Sequence, residues 1–386
     1  MTKTRGEEAS SRQPHGPRRQ REPGQSVGEL KSTYDPAEEI KHLRDVVKQK
    51  DRERLSYEKE VGKLRVLFDE MGEAIEALPP PQIEYHQPRA TKVVTPITHV
   101  LHLTDWHDGA QQESLEVEGL NEFSPIILRE YLPNFVRDNL DWVELHRKSY
   151  TVNDCHLLLT GDYLSGGIHD ELRWTNAYPE PVQAIRAGEL IAEVVTMLAP
   201  HYERVLIDAV TVDNHARLTR KPQSQEAGIN TWNYPCLYFA KERLRDFANV
   251  SFRIHEMIFK LVECGGRRYL LTHGDRVRGW AGFPYYGLER LASREAQKRM
   301  KQALLESRKT EADVAKVTGW LFDRVILGHF HAPLKHGKYW IGGSACGTTA
   351  YDHGEGRESD PIQCSWMVHP LHGEFDVTDW RLRRNA

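Results

Sequence analysis

The sequence predicts an α/β protein with two mixed sheets, preceded by a long amphipathic helix. Three observations carry this expectation. From about residue 96 onward, short apolar runs alternate with stretches of helical spacing. Five of those runs are followed directly by Asp, Asn or His, and polar groups beyond strand C-termini are where α/β sheets gather ligands. Residues 35–78 repeat apolar positions in steps of three and four, which is a heptad seam.

The elements follow in order. Residues 1–34 are rich in Gly, Pro, Ser, Gln and Arg, and bury too little apolar surface to offset ordering entropy, so a flexible tail is expected. Asp35-Pro36 then supplies an N-cap followed by Pro at the first helical position. The seam runs through Ile40, Leu43, Val47, Lys50, Arg54, Tyr57, Val61, Leu64, Phe68, Met71, Ile75 and Leu78, with two charged interruptions, and Pro79-Pro80-Pro81 ends the helix. Such a seam needs a partner surface, either the chain's own catalytic domain or a second copy in a homodimeric coiled coil. Residues 82–95 read as a linker, and 96–386 as the catalytic domain.

Within that domain, strands are expected at Thr98–Leu103, His156–Leu159, Val205–Val210, Tyr269–Leu271, Val325–Leu327 and Tyr339–Ile341. Helical spacing marks Ile126–Tyr150 and Glu180–Leu198, and Gln363–His369 and Gly373–Trp380 are left as closing strands.

Composition narrows the class. The chain has 386 residues, 39% hydrophobic and 28% charged, enough apolar material for a sizeable core. No stretch approaches the ~18 uncharged apolar residues of a membrane span, so no membrane partner is expected, and the N-terminus has no apolar core of a secretory signal. The five cysteines are scattered without a CxxC, which argues against a zinc ribbon or disulfide framework and fits a reducing cytoplasm. A net charge of −4 neither demands nor excludes nucleic acid.

The five polar clusters are Asp105-Trp106-His107, Gly161-Asp162, Asn214-His215, His273-Gly274-Asp275 and Gly328-His329-Phe330-His331. Singly, each is ordinary: a turn Asp, a hydrogen-bonded Asn, a structural His. Their joint occurrence, each after an apolar run, points to a metal site. In Asp-X-His and His-X-His an extended backbone would send both side chains the same way.

The ordered motifs LTDWHDG, LTGDYLSGG, VDNHAR, LTHGDRV and LGHFHAP, over roughly residues 96–350, resemble the calcineurin-like metallophosphoesterase superfamily. The GHFHAP cluster is similar to the SbcD-type DNA repair exonuclease branch and phage and bacterial relatives. The resemblance implies a four-layer α/β/β/α sandwich holding two divalent metal ions, Mn²⁺ first, with Fe or Zn²⁺ as alternatives. One ion would take Asp105, His107, Asp162 and His331; the other Asp162, Asn214, His273 and His329. It further implies phosphoester hydrolysis by a metal-bridging hydroxide, with His215 near the scissile phosphate as a general acid. Departures are Asp213 in place of Gly, where an unusual backbone angle is expected, and Ala216 in place of a carboxylate. Asp275 is either an orienter of an imidazole or a turn residue.

Between Arg276 and Lys309 nine basic residues face three acidic ones, a local excess of +6, interleaved with Trp280, Phe283, Tyr285 and Tyr286. Basic side chains can follow a phosphate backbone and rings can stack on bases. Arg276, Arg278, Arg294 and Arg299 are therefore candidate substrate-binding residues for nucleic acid, DNA favoured. Arg173, in the loop after Gly161-Asp162, is either a phosphate clamp or a surface residue. The expected activity is that of a phosphodiesterase or nuclease. The alternatives are a nucleotide or small-molecule phosphoesterase, and a recruiting subunit working through the helix of residues 35–78.

Overall fold

A computed structural model describes residues 36–76, 95–219, 221–222, 227–278, 284–307, 321–354, 356 and 358–385. The tail of residues 1–34, the linker up to residue 94, the Pro79–Pro81 stop, Trp280, Phe283, Arg308 and Lys309 lie outside them. The chain divides into two units, Met1–Arg89 and Ala90–Ala386.

In the first unit, helix α1 spans Pro36–Glu76, 41 residues, or about 60 Å at 1.5 Å per residue. Ile40, Leu43, Val47 and Tyr57 of the seam are each more than half exposed. The two charged interruptions are held within the helix, Lys50 to Glu53 at 2.7 Å and Arg54 to Glu58 at 3.8 Å. Exposed pairs of this spacing contribute only a few tenths of a kcal/mol.

In the second unit, one sheet runs β11-β10-β1-β2-β3-β4. Strands β1 (Pro96–Leu103), β2 (Thr151–Leu159), β3 (Arg204–Val210) and β4 (Val250–His255) are parallel. Parallel neighbours need crossovers, and these contain α2 (Pro125–Arg147), α3 (Glu180–Leu198) and α4 (Asn233–Arg243). Strands β10 (Ile362–His369) and β11 (Gly373–Arg381) close the other edge antiparallel.

The second sheet runs β5-β6-β7-β9-β8. Its parallel centre is β6 (Arg267–Leu271), β7 (Arg324–Leu327) and β9 (Tyr339–Ile341), flanked antiparallel by β5 (Lys260–Cys264) and β8 (Leu334–His336). Helix α5 (Tyr285–Ser307) follows β6, and the short α6 (Ala350–Gly354) follows β9.

The alternation of side chains sorts the core into three layers of contact. Leu101, Leu157, Ile207 and Met367 face α2, α3 and α4. Val100, Leu158, Val210 and Trp366 face the other way, against Tyr269, Ile326 and Trp340 of the second sheet. Leu270, Val325 and Ile341 then meet Leu288, Leu291 and Ala292 of α5. The result is four layers, α/β/β/α, as the motifs implied. Trp366 pins the two sheets: its indole N–H donates to Tyr269 Oη at 3.3 Å, and its ring lies 5.1 Å from Trp340. Deleting a buried indole costs about 3–5 kcal/mol.

Because β1, β2, β3, β6 and β7 are the parallel strands, their C-terminal loops gather at strand ends of the sandwich. Those loops carry the five polar clusters. Backbone hydrogen bonds tie them together: Asp105 N–H to Gly161 O at 3.1 Å, His107 N–H to Asp162 O at 3.0 Å, and Gly328 N–H to His273 O at 2.9 Å.

Candidate metal centre

Asp162, just after β2, lies at the middle of the cluster. Its Oδ2 is 3.0 Å from His273 Nε2 and 4.0 Å from both His107 Nε2 and His215 Nε2. His273 Nε2 also meets Asn214 Oδ1 at 2.9 Å, and its ring lies 5.2 Å from that of His329. On the other side, His107 Nε2 is 3.1 Å from His331 Nε2, and Asp105 Oδ1 lies 3.9 and 3.7 Å from these two nitrogens. Two sets of donor atoms close enough for one ion therefore share Asp162: His107 with His215, and His273 with His329. All seven side chains expected around metal, and His215 with them, come together from five loops.

The local backbone corrects one expectation. Asp105 (φ 52°), His107 (φ 48°), Asp162 (φ 47°), His329 (φ 71°) and His331 (φ 61°) are left-handed, not extended. Five of the seven left-handed non-glycine residues among those described are thus expected donors. Such angles cost on the order of 1–2 kcal/mol each and cluster at functional sites. Each turn sends its donor back over the strand end. Gly328 lets the turns close, since a Cβ there would sit 2.1 Å from both Asp105 Oδ2 and Thr104 Oγ1.

Asp213 corrects a second expectation. Its backbone is not left-handed. What the position supplies is a carboxylate, which accepts from Asp162 N at 2.6 Å, Ala216 N at 2.9 Å and the Asn233 amide. It braces the loops that hold Asp162 and Asn214. Burial, together with the charge of Asp162, pushes its pKa up to about 7. Asp275 lies 3.2 Å from the Arg276 guanidinium.

The electrostatics are those of like and unlike charges crowded away from water. Burial works against charge on His273, but the Asp162 carboxylate outweighs it and holds the imidazole well above its ordinary range. Burial also opposes charge on Asp162, and the imidazoles of His273 and His215 pull it well below the carboxylate range. Burial pushes Asp105 up. His107 is driven well below by burial and by His215, and His329 falls to about 3, mainly through burial. His331 rises to about 9 despite burial, because Asp352 bonds to its Nδ1 at 3.0 Å.

Several participants are not marked by any motif. Asp352, from α6, orients His331. The Thr160 carbonyl accepts from His273 Nδ1 at 3.0 Å, and the Ser165 carbonyl from His215 Nδ1 at 2.6 Å. These bonds fix each tautomer so that Nε2 faces the cluster. Cys346, after β9, is buried with its sulfur near the nitrogens of His107 and His331. The only sequence signal for this sixth loop is its place after an apolar strand.

The donor set fits divalent cations. It combines imidazoles, carboxylates and one amide oxygen. Asp162 Oδ2 is buried without a hydrogen-bond partner among the described residues, an acceptor at the centre of the cluster.

The candidate substrate residues divide. Arg276, Arg278 and Arg294 line one cavity together with Arg290. Arg299 does not line it. Its largely buried guanidinium lies 3.5 Å from Glu295, so it neutralises that carboxylate. Arg173 is exposed on a single helical turn, Leu172–Thr175. Tyr285 and Tyr286 are exposed, the latter by 78%.

No family model matches the sequence, and no curated protein matches it. Among solved structures the chain is similar to Vps29 from Entamoeba histolytica, in a wild-type form complexed with Zn²⁺. The identity is 13% and the TM-score 0.25, over 74% of this chain and 98% of that one. Single and double mutants of the same protein give 11% identity, with TM-scores of 0.23 and 0.24. At this level the architecture rests on the strand order and layered cores described above. None of the described helices is long and apolar enough to cross a membrane.

Proposed function

We propose that this chain is a calcineurin-like metallophosphoesterase that hydrolyses phosphodiester bonds in DNA with a pair of divalent cations, Mn²⁺ foremost. The observation that carries the reading is the single carboxylate of Asp162 shared by two groups of donors. Asp105, His107 and His331 would hold one cation, Asn214, His273 and His329 the other, and Asp162 both. When bound, such a pair activates water and stabilises charge on the attacking and leaving oxygens.

The chain's own residues supply the rest. His215 donates from Nδ1 to Ser165 O, so its Nε2 is the nitrogen available at the cluster. A proton held there can pass to the leaving alkoxide, a role worth about 10²–10⁴ in rate. Asp213 and Asp352 hold loops and imidazoles in place. The choice of DNA rests on the basic segment after His273.

The test is metal analysis with a panel of circular DNA, linear DNA, RNA and nucleotides. Asn214→Ala should lose cation stoichiometry and cutting together. His215→Ala should keep the cations and lose cutting by the factor above. Brisk hydrolysis of nucleotides with no cutting of any polymer would replace this reading with that of a nucleotide phosphoesterase.

A further inference from the structure

Helix α5 and the turn after β6 enclose a cavity of about 500 Å³ that no motif marks. Arg276 and Arg278 come from the turn, Arg290 and Arg294 from the helix, and Phe259 and Leu291 add an apolar surface. Arg290 and Arg294 are four residues apart, so they share one helix face. The opposite face, Leu288 and Ala292, is buried on the second sheet, which holds the helix in place. Gly287 sets the closeness of the two walls: a Cβ there would lie 2.5 Å from Arg278 O and 2.8 Å from Val277 Cγ1.

The charge is not balanced locally. Glu295 is the one carboxylate among the described lining residues, and Lys298 and Arg299 already approach it at 3.6 and 3.5 Å. Asp275 lies against Arg276. Among the described residues, no carboxylate stands within ion-pair distance of Arg278, Arg290 or Arg294. Converging guanidinium forks match the oxygens of a phosphate, and an apolar wall suits a sugar or base.

We propose that this cavity binds a backbone phosphate of a nucleic-acid strand at a distance from the phosphate being cleaved. The choice of a polymer rests on the phosphodiesterase reading above, because Arg276 follows His273 by three residues. Three residues span at most about 10 Å, which is on the order of three nucleotide steps at 3.4 Å of axial rise. The cavity then sets where along a strand the reacting bond lies.

The test is binding without turnover. A short labelled oligothymidylate is titrated against the full chain in EDTA, from 50 to 200 mM salt, with Arg278→Gln/Arg290→Gln as the variant. Both side chains are exposed, and a thermal melt checks the fold. The variant should bind at least tenfold more weakly at low salt. Its salt slope should fall by about 1.4, two phosphate contacts at about 0.7 each for a single strand. Arg278→Lys/Arg290→Lys should keep the slope while losing part of the affinity. Unchanged affinity and slope in the Gln variant would overturn the proposal. So would displacement of the oligonucleotide by inorganic phosphate or polyglutamate at equal charge concentration, since the site would then be a general anion or acidic-peptide site. If the oligonucleotide binds through these arginines and is never cut with any cation, the catalytic reading falls and this one stands.

Discussion

Asp352→Asn gives the sharpest test of how the metal-type cluster is held. Asp352 touches no expected site atom except His331 Nδ1, at 3.0 Å, and it also accepts from Thr349 Oγ1 at 2.7 Å. The amide keeps the shape and an acceptor oxygen but removes the charge. Partners of this kind contribute about 10–100-fold in metal affinity. The same carboxylate also raises the proton affinity of His331, to about 9 in the metal-free protein. A cation arriving at His331 Nε2 near pH 7 must therefore displace a proton, which costs about 2.7 kcal/mol for roughly two pH units. His273, also raised, releases a proton in both proteins. Wild type should thus release about one more proton per chain than Asp352→Asn near pH 7.5. Its metal affinity should climb more steeply with pH and level off near pH 9. The variant's deficit should be full above pH 9 and largely vanish near neutrality. Calorimetry in buffers of different ionisation enthalpy counts the protons, and chelator competition gives the affinities. Equal proton release by the two proteins would refute the coupling.

Three further outcomes are expected. Gly328→Ala drives a Cβ to 2.1 Å from Asp105 Oδ2; it should cost about 1–3 kcal/mol of stability and lower cation stoichiometry, read by urea titration and metal analysis. Asp208 is buried between His156 at 2.5 Å, His255 at 2.6 Å and Arg253; burial opposes its charge, but these partners hold it below the carboxylate range. That stabilisation is present above the unfolded pKa near 4 and lost as pH falls through the native value, so Asp208→Asn should cost about 3–5 kcal/mol at neutral pH and little near pH 2, in melts against pH. At His329, with φ 71°, Gly should be more stable than Ala by about 1 kcal/mol, the reverse of their order in a strand or helix; a urea titration in which Ala is equal or better would show that the turn relaxes.

Much of the fold was legible because its parallel strands are buried on both faces and so read as unbroken apolar runs. Helix α3 ends where its spacing stops, at Leu198. Strand β2 begins five residues earlier than its apolar run, because Thr151–Cys155 alternates in burial. Strand β4 has one buried residue of six and carries Arg253 and His255, so its composition resembles a loop. Helix α5 was visible only as a run of charge: its buried stripe is short and its other face is arginine and lysine. The donors were legible because Asp, Asn and His after a strand are few. Their supporters were not: Asp352 is an ordinary helix acid, and the carbonyls of Thr160 and Ser165 have no identity in a sequence at all.

The left-handed turns explain why donors and supporters have to be read together. Five such residues at about 1–2 kcal/mol each amount to a large share of the 5–15 kcal/mol by which a domain is stable. Those angles persist only where neighbouring bonds over-determine them. Asp105 shows how: its N–H is held by Gly161 O, its carbonyl by Ala345 N–H and Ser344 Oγ, and its carboxylate accepts from Thr104 Oγ1 and His329 N–H. Those partners come from both sheets and from the sixth loop. A donor set assembled this way is rigid before any cation arrives, so binding energy is not consumed in ordering the loops. It also means that the strand ends of either sheet cannot shift without moving Asp105. The packing of Trp366 between the sheets and the geometry of the cluster are therefore parts of one mechanical unit.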